Sequence, residues 1–112
     1  MKMIKTIIRP EKLEIIKDAL LQLGYPGMTV TKIQGHGNQK GATEVCRGQK
    51  FRIDLLSKTK IEIVVNDADA EKIVNIIINE TQTGSIGDGK IFIFNLENVY
   101  RIRTKEYGET AI

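Results

Sequence analysis

The chain has 112 residues and a single cysteine, with 41% hydrophobic residues and a formal net charge of +3. That suits one domain with one modest core and excludes a disordered chain, an internal disulfide and a membrane span, since no apolar run approaches the ~20 residues a span needs. The charge could serve phosphates or acidic ligands but falls short of the dense basic stripe of a nucleic-acid binder.

Residues Lys2 to Arg9 alternate as a first strand, and no charged-then-apolar leader precedes them. Arg9 stands before Pro10 and so prefers an extended backbone, while Pro10 fits the first turn of a helix. Leu13, Ile16, Leu20 and Leu23 then recur at helical spacing, Gly24 stops the helix and Pro26 forbids its return. Thr29 to Gln34 reads as a second strand. Periodicity then disappears from about Gly35 to Ser57, a polar stretch longer than the ~12–15 residues a compact domain usually leaves unstructured without a functional reason.

Lys60 to Val65 reads as a third strand. Asn66 or Asp67 can cap the following helix, which carries Ile73, Val74, Ile76 and Ile77 and ends near Thr81. A glycine-rich loop, Thr83-Gly84-Ser85-Ile86-Gly87-Asp88-Gly89, leads into a fourth strand, Lys90 to Phe94. Val99 to Arg103 reads as a fifth extended piece, and the polar tail from Lys105 to Ile112 as loose. Strand, helix, strand, strand, helix, strand is a doubled plan. It predicts an α+β, ferredoxin-like βαββαβ sandwich over residues 1–112, with both helices on one face of an antiparallel sheet. Thr6, Ile8, Ile61, Ile63 and Val65 read as leaving neither face uniformly polar, so the second face is expected to be covered by oligomerisation.

Gly84-Ser85-Ile86-Gly87-Asp88-Gly89-Lys90 matches the spacing of a phosphate loop, G-x-x-x-x-G-K. A helix precedes it and a strand follows, the reverse of a true Walker loop, and Ile91 stands where a magnesium-binding hydroxyl belongs. Its glycines can still let backbone N–H groups converge on an anion, with Lys90 adding charge. A plain turn explains the pattern equally well. Arg101 and Arg103, two apart on an extended piece, would project to one side and suit a polyphosphate, although a solvated edge alone explains them better. His36 has no partner at metal-ligand spacing and reads as structural or exposed; Cys46 reads as an incidental loop thiol. No catalytic constellation is present.

Five segments in order resemble the PII signal-transduction family: Gly27-Met28-Thr29-Val30-Thr31, Gly37-Asn38-Gln39-Lys40-Gly41, Lys60-Ile61-Glu62-Ile63-Val64-Val65, Thr83 through Phe92, and Arg101-Ile102-Arg103-Thr104. The resemblance runs the length of the chain. It implies a homotrimer that binds nucleotide between subunits, a T-loop at about 36–57, a B-loop at about 82–90 and a C-terminal segment at about 99–112.

It further implies ATP or ADP, Mg²⁺ and 2-oxoglutarate as effectors, with no catalysis. Nucleotide would be held by Thr29, Gly35, Gly37, Asn38, Gln39, Val64, Gly87, Asp88, Gly89, Lys90, Arg101 and Arg103. The oxo acid would be held by Gln39, Lys40, Gly41, Lys58 and Gly87, with Gln39 also a ligand of the metal, whose preference is for oxygen donors. Arg47 and Phe51 of the T-loop would meet partners: an ammonium transporter, a nitrogen-metabolism enzyme or a regulator, with no nucleic acid. The implied location is the cytoplasm, with recruitment to the inner membrane face through such a transporter as one route.

Four positions depart from the family pattern, one of them Cys46, which replaces a frequent aromatic. Phe51 lacks the tyrosine hydroxyl that many members modify, and Gln49 lacks the serine hydroxyl of others, so no modification is expected at either. Asn38 replaces an arginine that contacts ATP phosphates. A charge-assisted hydrogen bond of that kind is worth about 1.5–3 kcal/mol, which loosens the expectation that ATP is preferred to ADP. The alternative is a PII-like paralogue that senses adenine nucleotide with another small-molecule effector. Gln39, Lys58 and the complete B-loop weigh against it.

Overall fold

The computed structural model describes residues 1–36, 43–46, 49–52 and 55–112, the two short middle segments by backbone alone. The chain runs β1 (Lys2–Ile8), α1 (Leu13–Gln22), β2 (Thr29–Gly35), β3 (Thr43–Cys46), β4 (Gln49–Arg52), β5 (Leu56–Val65), α2 (Asp67–Thr81) and β6 (Gly89–Asn95). Four strands form one antiparallel sheet in the order β2-β5-β1-β6, and β3 pairs with β4 separately. This is the ferredoxin-like plan, with each half contributing strand, helix and strand.

Burial follows the alternation of the strands. Ile4, Thr6 and Ile8 of β1 and Ile61, Ile63 and Val65 of β5 are all buried against the helices. Ile16 and Leu20 of α1 and Ile73 and Ile77 of α2 meet them, with Leu13, Leu23 and Val74 packed around. Pro10 opens a 3-10 turn, Pro10–Lys12, whose last N–H bonds the Arg9 carbonyl at 3.0 Å, and α1 follows directly. Gly24 closes α1 at φ +87°, a left-handed angle that only glycine adopts cheaply.

Four expectations change. Thr6 lies opposite Ile61 and Ile4 opposite Ile63, so Thr6, Ile8, Ile61, Ile63 and Val65 share the helix-covered face rather than marking both. The open face carries Met3, Lys5 and Ile7 of β1, Lys60, Glu62 and Val64 of β5, and Phe92 and Phe94 of β6, by register. Phe92 and Phe94 are 40% and 46% exposed, and the Lys5 ammonium sits 5.2 Å from the Phe94 ring centre.

Second, β5 begins at Leu56 rather than Lys60, because residues 56–59 continue the ladder against Gly35–Lys32 of β2. Third, residues 99–103 are not a strand. Tyr100 makes an isolated bridge to Tyr107, and the Lys105 N–H closes a turn on the Arg101 carbonyl at 2.8 Å, with Lys105 itself at φ +62°. Fourth, the tail is tied down. The Gly108 N–H bonds both the Val99 carbonyl and Asn98 Oδ1, and Ala111 is buried in a 3-10 turn, Gly108–Ala111.

Among the described residues no helix is long and apolar enough to cross a membrane.

Candidate functional site

The glycine-rich loop runs from the end of α2 into β6, the helix-then-strand order expected of a loop that is not a Walker motif. Gly84, Gly87 and Gly89 take φ of +85°, +102° and +113°. At Gly89 the reason is also steric, since a Cβ there would lie 1.7 Å from the Ile7 carbonyl oxygen of β1. The loop therefore turns onto the sheet at the one residue that permits it.

Asp88 organises the loop from within. Its carboxylate accepts the N–H groups of Thr83 (2.8 Å) and Gly84 (2.9 Å) and the Thr83 hydroxyl. Arg9 donates from Nε to Asp88 at 3.3 Å and from Nη2 to the Ile86 carbonyl at 3.0 Å. The Thr83 hydroxyl first, then these N–H groups and Arg9, hold the Asp88 carboxyl well below the usual carboxylate range. It stays charged at every ordinary pH, and its contribution is lost only as pH falls through and below that range.

Lys58 donates to the Gly87 carbonyl at 2.8 Å. Burial first, then the charge of Arg9, pulls its ammonium below its ordinary range, while Glu11 and Asp88 oppose the shift. Three successive loop residues, 86 to 88, are thus held by two cations, Arg9 just past β1 and Lys58 on β5.

The open sheet face carries two clefts. One, of about 570 Å³, gathers Gly35, Lys58, Gly87, Asp88, Gly89 and Lys90 beside Ile7 and Phe92. The other, of about 780 Å³, gathers Thr29, Val64 and Arg101 beside Glu62 and Met3. Met3 and Ile7 stand four residues apart on β1, about 13 Å, so one chain places the two residue sets at opposite ends of the face. Arg103 is exposed and lines neither cleft. Arg101 already has partners, Glu106 at 3.4 Å and the Ile112 carbonyl at 3.4 Å. Because residues 101–105 form a turn, the two arginines do not share the strand-like side expected of them.

Gly37, Asn38, Gln39, Lys40, Gly41 and Arg47 lie outside the described residues, as does the side chain of Phe51. Among the described residues no cluster of three or more His, Cys, Asp or Glu could hold a metal.

Two contributors were not singled out from the sequence. Arg9 was only the residue before Pro10, and nothing local marks its partner 79 positions away. Glu62 had a signal in the sequence, since it stands two residues from Val64 and so shares its face, and the register places it opposite Thr29. It pairs with Lys60 at 3.5 Å at the edge of the second cleft.

The family model described as nitrogen regulatory protein P-II matches residues 1–106. Over 112 residues the chain is 58% identical to "Nitrogen regulatory protein P-II 2" of Methanothermobacter thermautotrophicus, covering all of this chain and 97% of the relative. It is 51% identical to nitrogen regulatory protein P-II of Rhizobium meliloti and to P-II 1 of Escherichia coli K12, with both partners covered completely in each pair. The fold, the glycine-rich loop and these matches agree, and the chain belongs to the nitrogen regulatory protein P-II family.

Proposed function

We propose that this chain is a non-enzymatic sensor that binds ATP or ADP, and 2-oxoglutarate with Mg²⁺, at sites shared between neighbouring copies of a homotrimer. The observation that carries the reading is the division of the nucleotide residues between two clefts at opposite ends of one sheet face. A nucleotide seated in the first cleft of one copy would need Thr29, Val64 and Arg101 from the second cleft of the next. The open face with its exposed phenylalanines is the surface such an assembly would cover.

In this reading the backbone N–H groups of Gly87 and Gly89, with Lys90, receive phosphate oxygens, and Arg101 and Arg103 add charge from the neighbour. Thr29 and Val64 flank the adenine. Lys58 turns part of its donor capacity to the distal carboxylate of 2-oxoglutarate, and Lys40 and Gly41 supply further contacts. Gln39 offers an amide oxygen, a hard donor of the kind Mg²⁺ takes; when bound, the ion would neutralise phosphate and oxo-acid charge together. Occupancy is read out by the segment at 36–57, which, through Arg47 and Phe51, meets an ammonium transporter or a nitrogen-metabolism enzyme or regulator in the cytoplasm. A coupling of about 1–3 kcal/mol is enough for such a switch.

Subunit mixing tests the shared site. Lys90→Ala and Arg101→Ala lie in different clefts, and each variant alone is expected to bind Mg-ATP weakly. Refolded together in equal amounts, they should regain about a quarter of the wild-type sites, because random assembly joins an intact loop to an intact neighbouring cleft at that frequency. A mixture no better than its components, or a wild-type chain that sizes as a monomer, would contradict the shared site.

A further inference from the structure

The loop that would receive phosphates carries a carboxylate of its own. Asp88 sits between two glycines at positive φ, and its side chain is spent on Thr83, Gly84 and Arg9. An uncompensated carboxylate here would repel a polyphosphate more strongly with each added phosphate charge. Arg9 supplies the compensation. Its side chain is mostly buried, 17% exposed against 23% for Asp88, so the pair is screened less than a surface ion pair. The same fork reaches the Ile86 carbonyl, so one side chain grips the loop at two residues. Arg9 is itself well placed: it follows β1 directly with an extended backbone and leads into the turn at Pro10.

We propose that Arg9 is the positioning residue of the glycine-rich loop: through Asp88 and the Ile86 carbonyl it closes the loop into its anion-receiving shape and cancels the loop's own negative charge. This role rests on the nucleotide reading above for its ligand, and on the loop geometry alone for its mechanics. Asp88 then acts on the nucleotide through loop shape, and the groups presented to phosphate are backbone N–H groups and Lys90. Lys58 supports the same closure from the Gly87 carbonyl.

The test uses full-length Arg9→Gln, Arg9→Lys, Asp88→Asn and the Arg9→Gln/Asp88→Asn double variant. Titration calorimetry with Mg-ATP, Mg-ADP and adenosine is paired with amide hydrogen exchange at Thr83 and Gly84. For Arg9→Gln the expected loss is graded by charge: roughly ten-fold for ATP, less for ADP and least for adenosine. Exchange at both amides should quicken. Adding Asp88→Asn should recover the charge-graded part of the loss, and Arg9→Lys, which keeps the charge, should show little of that graded loss. An equal loss for all three ligands, or no recovery in the double variant, would reduce Arg9 to a general structural role and overturn the proposal. Unchanged exchange at Thr83 and Gly84 in Arg9→Gln would overturn it whether or not nucleotide binds. A wild-type chain that binds no adenine nucleotide would instead defeat the preceding reading, and the exchange comparison would then judge the loop closure by itself.

Discussion

Gly89 shows how a single residue joins the loop to the sheet. Its φ of +113° and the Ile7 carbonyl 1.7 Å from any added Cβ allow no side chain without moving backbone on one side or the other. Backbone strain of this kind costs about 1–3 kcal/mol before the clash is counted. Gly89→Ala should therefore lower unfolding stability by about 3 kcal/mol or more in urea denaturation, and wild-type stability in that variant would contradict the close approach. Gly84, with open space around it, carries only the conformational part of that cost. The glycine pattern was visible in the sequence. Its assignment to separate duties was not, because the Ile7 carbonyl is remote in the chain. Arg9 was hidden for the same reason: its meaning lies in a contact across 79 residues.

At the scale of the elements, α1 and α2 were legible because their apolar residues recur on one face and glycine or polar residues end them. Leu20 is fully buried and its neighbour Leu21 is 59% exposed, so the helix divides at a single residue step. Leu20→Ala should cost about 2–5 kcal/mol in chemical denaturation, while Leu21→Ala should stay within about 0.5 kcal/mol. Similar costs for the two would contradict the packing. The first part of β5 was less legible. Ser57, Lys58 and Thr59 carry no apolar alternation, and their strand conformation comes from the ladder to β2. That ladder puts Lys58 on a rigid element facing the glycine loop. Residues 99–103 misled in the opposite sense. Val99, Tyr100 and Ile102 suit a strand, but the chain reverses through Lys105, which takes a left-handed angle without being glycine. The Thr104 hydroxyl accepts the Glu106 N–H at 3.3 Å, and the Tyr100 and Tyr107 rings meet at a tilt, 5.8 Å between centres, across the turn.

For the whole molecule, the division between covered and open faces decides the functional argument. The helices bury one face of the sheet, and the other presents Lys5, Glu62, Phe92 and Phe94 with a cleft at either end. The sequence predicted an uncovered face and named residues from both clefts, but strand register was needed to show which side chains lie there and that the clefts stand apart. The role proposed for this arrangement is coupled sensing of nucleotide and 2-oxoglutarate. Isothermal titration of 2-oxoglutarate into the purified protein, once with Mg-ATP and once with Mg-ADP, tests it most directly. The account predicts saturable binding with Mg-ATP and none with Mg-ADP. No binding of 2-oxoglutarate in either titration, with nucleotide itself still bound, would contradict it and leave an adenine-nucleotide sensor with a different second effector.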